Sequence, residues 1–321
     1  MKKVILYEPS IGSDNFGDQI IVDSVKYALS GYLSDAFTIE MSTHNPLSWR
    51  YLRYIHRTPV TQKIVCGSNL IVGKLNSLIH MRQWALSAST IRQAGPCVFI
   101  GVGSQQYNQK INAYTRSAYQ YLFNKDYLHS VRDSYTEQAL KSIGIHNVVN
   151  TACPTMWSLT EEKCASIPTS KASTVVFTLT DYKQDKNRDE KLISCLKRNY
   201  KNVWFWVQGN GDAAYFQTLQ RTEGIKLLKP NLESYNDFLL NQDTDFVGTR
   251  LHGGMRAMQM GRRTIIIAID NRATELQKDF GIPVIQESDI DQLDDMICGK
   301  WETRIELPTD NIRAFMEQFT Y

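Results

Sequence analysis

Nothing in this 321-residue sequence marks a disulfide framework, a zinc ligand set or a membrane span. The six cysteines stand alone at 66, 97, 153, 164, 195 and 298. None forms a CxxC pair, and no Cys/His spacing suits zinc. They lie in or beside apolar segments, so buried free thiols in a reducing compartment are expected. The longest apolar run away from the N-terminus is IIIAI at 265–269, far short of the ~20 residues a spanning helix needs. The opening MKKVILYEPSIG reaches Glu8 too soon for a signal-peptide core. Charge of one sign is also lacking: the formal net charge is +3, with 21% charged residues. A nucleic-acid partner, which leaves a strongly basic domain, is therefore not expected. These exclusions point to a soluble cytoplasmic protein, with surface association at the inner face of the membrane left open. Only nine prolines interrupt the chain.

What the sequence does have is alternation. Strand-like runs at 4–7, 63–67, 97–103, 127–133 and 147–151 are separated by helical patterns at 16–29, up to about 92, 110–124 and 134–142. The polar stretch TEEKCASIPTSKAS then breaks the rhythm, and a second series follows. Its strands are expected at 174–180, 202–209, 225–228, 244–249 and 264–269. Its helices are expected near 187–199, 212–221, 233–240, 253–260 and 273–280. Strands separated by helices imply parallel sheets with right-handed crossovers. The expected fold class is α/β: two Rossmann-like, doubly wound lobes with an interlobe cleft, a GT-B-like arrangement. The first lobe spans 1–160 on the acceptor side, a linker covers 161–173, and the second lobe spans 174–308 on the donor side. A terminal helix in 309–321 is expected to pack back on the first lobe.

Ligands of open α/β sheets bind outside the carboxyl ends of strands, so chemistry is sought there. The most informative stretch is TDFVGTRLHGGMRAMQMGRRTIIIAID, 244–270. It places Arg250, Leu251 and His252 at a strand end, followed by Gly253 and Gly254. The guanidinium fork matches carboxylate and phosphate oxygens in pairs. Histidine titrates near neutrality and can donate or accept a proton. The glycines let backbone approach a bound group, and a helix beginning at 253 adds free amides. Further strand-end candidates are Asn15, Gly17 and Asp18, then Asn69 in the turn 67–69, Ser104 after Gly101-Val102-Gly103, Arg132 before Asp133-Ser134, and Arg272 after Asp270-Asn271. Asp18 suits a first helical turn by the helix dipole alone, and Asp133 or Ser134 can cap the helix that follows. Gly101-Val102-Gly103 lacks the third glycine of a dinucleotide fingerprint. A basic, aromatic segment, WRYLRYIHRTP at 49–59, carries Arg50, Arg53 and Arg57 at helical spacing. Its 49–57 portion is a candidate for peripheral contact with anionic lipid head groups, or an ordinary amphipathic helix.

The elements Asn15-Phe16-Gly17-Asp18, the small turn at 67–69, GVGS at 101–104, VRDSYTEQALKSIG at 131–144 and GTRLHGGMRAMQMGRR at 248–263 together resemble the polysaccharide pyruvyl transferases. The turn at 67–69 reads GSN where many members carry a run of glycines. Asn271-Arg272 stands where members often have a lysine. The resemblance implies a GT-B-like fold and transfer of pyruvate from phosphoenolpyruvate onto sugar hydroxyls of a cell-surface polysaccharide or its polyprenyl-linked precursor, usually as a cyclic ketal. It implies that Arg132 and Arg250 bind the donor, with Leu251 and His252 completing the Arg-Leu-His element, and that His252 is the general acid; Gly253 and Arg272 join the donor candidates by their strand-end positions. Asp18 is the candidate base, with Asn15, Gly17, Asn69 and Ser104 toward the acceptor. No metal or cofactor is expected, because the arginines supply positive charge and phosphoenolpyruvate is a co-substrate. The alternatives are a GT-B-type glycosyltransferase using a nucleotide sugar, which needs an acidic residue such as Glu233 or Asp237 on the ribose, and a non-enzymatic glycan-binding protein.

Overall fold

The computed structural model describes residues 2–76, 83–84, 86–107 and 110–319. Part of the helical pattern expected before residue 92 falls on 77–82 and 85, outside the described residues; a helix is present at Ala88–Ala94. The chain divides into two compact units. One comprises Met1–Ser13, Ile21–Trp157 and Pro308–Tyr321, and the other Asp14–Ile20 and Ser158–Leu307.

The first unit contains strands β1 (Lys2–Glu8), β2 (Ala36–Ser42), β3 (Gln62–Cys66), β4 (Val98–Ile100), β5 (His129–Val131) and β6 (Val148–Asn150). Its main sheet has the order β2-β1-β3-β4 with parallel pairings, and β5 pairs with β6. A parallel bridge between Val102 and Val131 joins the end of β4 to β5. The central strands are apolar on both faces, as helix-covered parallel strands must be. Val4, Ile5, Leu6 and Tyr7 of β1 are all buried. The terminal helix Thr309–Glu317 belongs to this unit: Phe315 packs near Trp157, and Asn311 Nδ2 donates to Asn150 O at 2.9 Å.

The second unit contains β7 (Thr174–Thr178), β8 (Asn202–Trp206), β9 (Lys226–Leu228), β10 (Thr244–Gly248), β11 (Thr264–Ala268) and β12 (Val284–Gln286). All are parallel, in the order β12-β11-β10-β7-β8-β9. From β7 the chain winds through β8 and β9 to one side, then β10, β11 and β12 to the other. The order therefore reverses between β7 and β10, the position at which doubly wound sheets open a crevice. Gly248 lets these strands close up there, since a Cβ on it would lie 2.5 Å from Thr178 Oγ1.

Several details depart from the sequence expectations. Strands β2 and β12 are both sheet edges and were not anticipated: β2 is largely exposed and β12 is three residues long, so neither shows a buried apolar run. Residues 161–173, expected as a linker, contain the helix Glu161–Ala165, capped by the Thr160 side chain. Asn15, Gly17 and Asp18, assigned to the first lobe, cluster with the second unit. Five cysteines are buried free thiols, but Cys298 is exposed. Burial pushes the Cys97 thiol up to about 12. Among the described residues, no helix is long and apolar enough to cross a membrane.

Candidate functional site

The reversal point of the second unit is filled from three strand ends. After β10 comes Arg250, which is the N-cap of the helix Leu251–Gln259. The helix starts two residues earlier than expected, so Leu251, His252 and Gly253 form its first turn, where backbone amides have no partner within the helix. Arg250 N donates to Thr178 Oγ1 at 3.2 Å, which ties the cap to the end of β7.

The Arg250 guanidinium is buried and largely engaged. Nε donates to Leu179 O at 3.0 Å and to Asp212 Oδ2 at 3.2 Å. Nη2 donates to Asp181 Oδ1 at 2.8 Å and also to Asp212 Oδ1. Nη1 makes no hydrogen bond among the described residues. Two aspartates thus already hold this guanidinium. Asp212 follows β8 in the sequence Gln208-Gly209-Asn210-Gly211-Asp212. Besides Arg250, its carboxylate accepts from Gly209 N at 2.7 Å and Asp181 N at 3.1 Å. Burial pushes its carboxyl above the ordinary range, against the pull of Arg250. Gly209 and Gly211 are required by this packing, because a Cβ on either would lie 2.2 Å from Arg250 Nη2 or Asp181 Oδ2.

Tyr182 links Arg250 to Arg272. The Arg250 guanidinium carbon lies 5.1 Å from the centre of the Tyr182 ring. Arg272 Nη2 donates to Tyr182 Oη at 2.5 Å, while Nε pairs with Asp270 at 3.0–3.1 Å. Arg272 is thus also paired rather than open.

His252 is buried in the first turn. Beside it, Gly253 does not leave room for a ligand at its α-carbon: a Cβ would meet Gln208 Oε1 at 2.7 Å and the Phe246 ring at 3.3 Å. Gly254 is tight against Ile266 of β11, at 2.7 Å. The glycine pair seats the helix on the sheet, a role the sequence reading had given to ligand approach. Leu251 is likewise core.

Residues 14–18 attach to the same unit by backbone. Asn15 bridges Gly209 in antiparallel fashion, Phe16 N donates to Gln208 O at 3.0 Å, and Asn210 N donates to Asp14 O at 2.9 Å. Gln208 Nε2 donates to Asn15 Oδ1 at 2.9 Å, and Asn15 Oδ1 also accepts from Gly17 N at 3.0 Å. Gln208 Oε1 is buried without a hydrogen-bond partner among the described residues. Asp18 is buried in the first turn of the helix Phe16–Ala28.

The remaining candidates belong to the first unit. Arg132 is buried; Nε donates to Asp133 Oδ2 at 3.1 Å and Nη2 to Ser104 O at 3.3 Å. Its Nη1 makes no hydrogen bond among the described residues. Asp133 also caps the helix Ser134–Lys141 through Thr136 N at 2.7 Å. Gly103 must be glycine, since a Cβ would lie 2.2 Å from the guanidinium carbon of Arg132. Ser104 N donates to Thr136 Oγ1 at 2.8 Å. The turn holding Asn69 has two left-handed residues, Gly67 at φ 71° and Ser68 at φ 70°. Asn69 Oδ1 is buried without a partner among the described residues. Ser68 O accepts from Gly103 N at 2.9 Å, so the turns after β3 and β4 hold each other.

The sequence reading missed Asp181, Tyr182, Gln208 and Asp212, and named Asp270 only as a neighbour of Arg272. All follow strands, so the strand-end rule that selected Arg250 would have reached them.

A family model described as "Polysaccharide pyruvyl transferase" matches residues 15–271. The chain belongs to this family. No curated protein matches the sequence at a significant level. The UDP-GlcNAc 2-epimerase of Methanocaldococcus jannaschii, solved in complex with UDP-GlcNAc and UDP, superposes over 99% of this chain and 98% of its own, with TM-score 0.58 and 11% identity. S. aureus MnaA, solved with UDP, gives TM-score 0.57 over 99% and 90% at 11% identity. The Neisseria meningitidis UDP-GlcNAc 2-epimerase gives 0.53 over 94% and 95% at 12% identity. At these identities the likeness defines a shared α/β, GT-B-type fold with parallel sheets.

Proposed function

We propose that this protein transfers pyruvate from phosphoenolpyruvate to hydroxyls of a polysaccharide or its lipid-linked precursor, closing a cyclic ketal. The observation that supports this reading best is the family match across 15–271, which includes the buried Arg250 and His252 at the reversal point. Phosphoenolpyruvate presents a phosphate and a carboxylate on a three-carbon frame. Arg250 keeps its Nη1 for such an anion, and the first-turn amides at 251–253 favour negative charge. Asp181 lies near the surface and holds Arg250 in the absence of donor; the donor's anion takes its place.

His252 in its protonated form donates to the methylene carbon of the donor, which becomes a methyl group. The central carbon is left electron-poor and is attacked by a sugar hydroxyl oxygen, whose proton passes to Asp18. The C–O bond to phosphate breaks, a second hydroxyl attacks the same carbon, and its proton leaves with the phosphate. Proton transfer from Asp18 through solvent to His252 restores both groups. General acid and base assistance of this kind contributes roughly 10²–10⁴-fold per group.

The test is mass spectrometry of sugar acceptors, free and lipid-linked, after incubation with phosphoenolpyruvate. Addition of a pyruvyl ketal with stoichiometric release of phosphate is expected. Thermal stabilisation by UDP or GDP but not by phosphoenolpyruvate, with no product in any acceptor, would overturn the reading in favour of glycosyl transfer.

A further inference from the structure

The first unit carries a second cationic site, which the mechanism above does not use. A cavity of about 740 Å³ is lined by Trp49, Arg50, Arg53, Tyr54, His56, Arg57, Lys63, Arg92 and Gln93. Its charges come from three separate segments: the helix Trp49–Ile55 with the turn after it, β3, and the helix Ala88–Ala94. The lining contains four arginines and a lysine but no carboxylate. None of the four arginines forms an ion pair among the described residues, whereas the buried Arg132, Arg188, Arg250 and Arg263 are all paired with aspartates. Like charges gathered without counterions repel one another, so the arrangement disfavours the empty state.

Three of the cationic side chains have contacts that position them. The Arg50 guanidinium lies 5.6 Å from the Trp49 ring centre and that of Arg57 lies 5.3 Å from Tyr54. Lys63 Nζ donates to Gln93 O at 2.9 Å and Gly95 O at 2.8 Å, which fixes one positive charge against the wall. The helix turns Leu52 and Ile55 into the core, while Trp49 and Tyr54 are 46% and 61% exposed. Exposed aromatic rings interleaved with exposed guanidinium groups suit a ligand with several negative charges joined to a ring or hydrocarbon portion. The volume falls within the range of small-molecule sites, roughly 300–1,000 Å³.

From this we infer that the cavity is a binding site for a diphosphate ester. Two bridged phosphates carry more charge and more acceptor oxygens than a carboxylate or a single phosphate, and so match a lining of several guanidinium groups better. The inference does not depend on the pyruvyl-transfer reading. The ester is either soluble, as in a nucleoside diphosphate sugar, or membrane-borne, as in an isoprenoid diphosphate.

Calorimetric titration of the full-length protein with inorganic pyrophosphate tests it, using inorganic phosphate as comparison. Pyrophosphate is expected to bind more tightly than phosphate. The Arg53→Gln/Arg57→Gln variant is expected to lose about tenfold or more, since each charge-assisted hydrogen bond is strong. Its ligand-free melting temperature should equal or exceed that of the parent, which separates lost binding from lost folding. Tighter capture of UDP-N-acetylglucosamine identifies the soluble source. Tighter capture of phosphatidylcholine vesicles doped with farnesyl diphosphate identifies the membrane source. Equal pyrophosphate affinity in parent and variant, or pyrophosphate bound no more tightly than phosphate, overturns the inference.

Discussion

Asp181→Asn and Asp212→Asn each remove one negative charge from beside the same guanidinium, and they should behave in opposite ways. The Asp212 side chain is 0% exposed and that of Asp181 is 32% exposed. Asp212 accepts from Arg250 and from two backbone amides, so its loss leaves Arg250 without its buried counterion. Breaking a buried pair costs about 3–5 kcal/mol. Asparagine keeps one acceptor oxygen, so about 3 kcal/mol is expected, or a fall in melting temperature of roughly 6–12 °C at about 2–4 °C per kcal/mol. Asp181 is near solvent, where an ion pair contributes at most about 1 kcal/mol, and its variant should melt close to the parent. Donor binding should respond the other way. Two unit charges about 8 Å apart repel by about 2 kcal/mol at an effective dielectric of 20. Solvent around a partly exposed side chain reduces that to about 1 kcal/mol, so Asp181→Asn should bind phosphoenolpyruvate about fivefold more tightly. Differential scanning calorimetry and isothermal titration measure the two quantities. Weaker donor binding by Asp181→Asn, or an Asp212→Asn protein that melts with the parent, would refute the division of labour between these aspartates.

Three other expectations can be checked. His252→Ala should lose roughly 10²–10⁴-fold in turnover while still binding phosphoenolpyruvate in a titration; an unchanged rate would remove the acid assignment. Arg263→Ala should cost about 3–5 kcal/mol in denaturant unfolding, because it strands Asp245, which Arg263 Nη1 contacts at 3.2 Å and Tyr200 Oη at 2.7 Å; Arg263→Met/Asp245→Asn should recover most of the loss, and an equally unstable double variant would count against the pairing. Burial lowers His129 from 6.5 to about 4, with Nδ1 accepting from Phe99 N and Nε2 donating to Asn124 O. Because the folded value is depressed, its contribution of about 3 kcal/mol is present above pH 6.5 and is lost as pH falls toward 4. A stability–pH curve for His129→Gln should be flatter in that window, and superimposable slopes would exclude the assignment.

The sequence exposed the fold where burial imposes a pattern. The runs at β1, β7, β10 and β11 have buried, mostly apolar centres because both faces of a parallel sheet are covered, and each was legible. The edge strands β2 and β12 were not, because an edge has no such requirement. In the site, Arg250 and His252 were visible as a charged pair at a strand end, and Asp133 as a helix cap. The partners of Arg250 were hidden because GNGD after β8 and TDYK after β7 read locally as polar turns. Only the strand order, which reverses between β7 and β10, brings those turns to one guanidinium. The double glycine at 253–254 was misread for a related reason. A sequence shows that a glycine needs space but not whether the neighbour is a ligand or Gln208 and Ile266.

The placement of residues 14–18 in the second unit changes the meaning of the Asn-Phe-Gly-Asp element. Phe16 stacks near Trp206 at 6.2 Å, and Trp206 lies flat on Tyr235 at 3.7 Å and 2°. Tyr235 Oη then donates to Gly253 O at 2.9 Å. The aromatic series therefore runs from the N-terminal element to the first turn that carries His252. Aromatic pairs contribute about 0.5–1.5 kcal/mol each beyond burial where their geometry is favourable, and the backbone bridge from Asn15 to Gly209 holds the other side. A segment more than two hundred residues away in sequence from His252 is thus attached to the same unit by both rings and backbone. That attachment gives these residues a joint structural role: Asn15 and Gly17 shape the connection through Gln208, and Asp18 is carried with them into the first turn of the helix Phe16–Ala28.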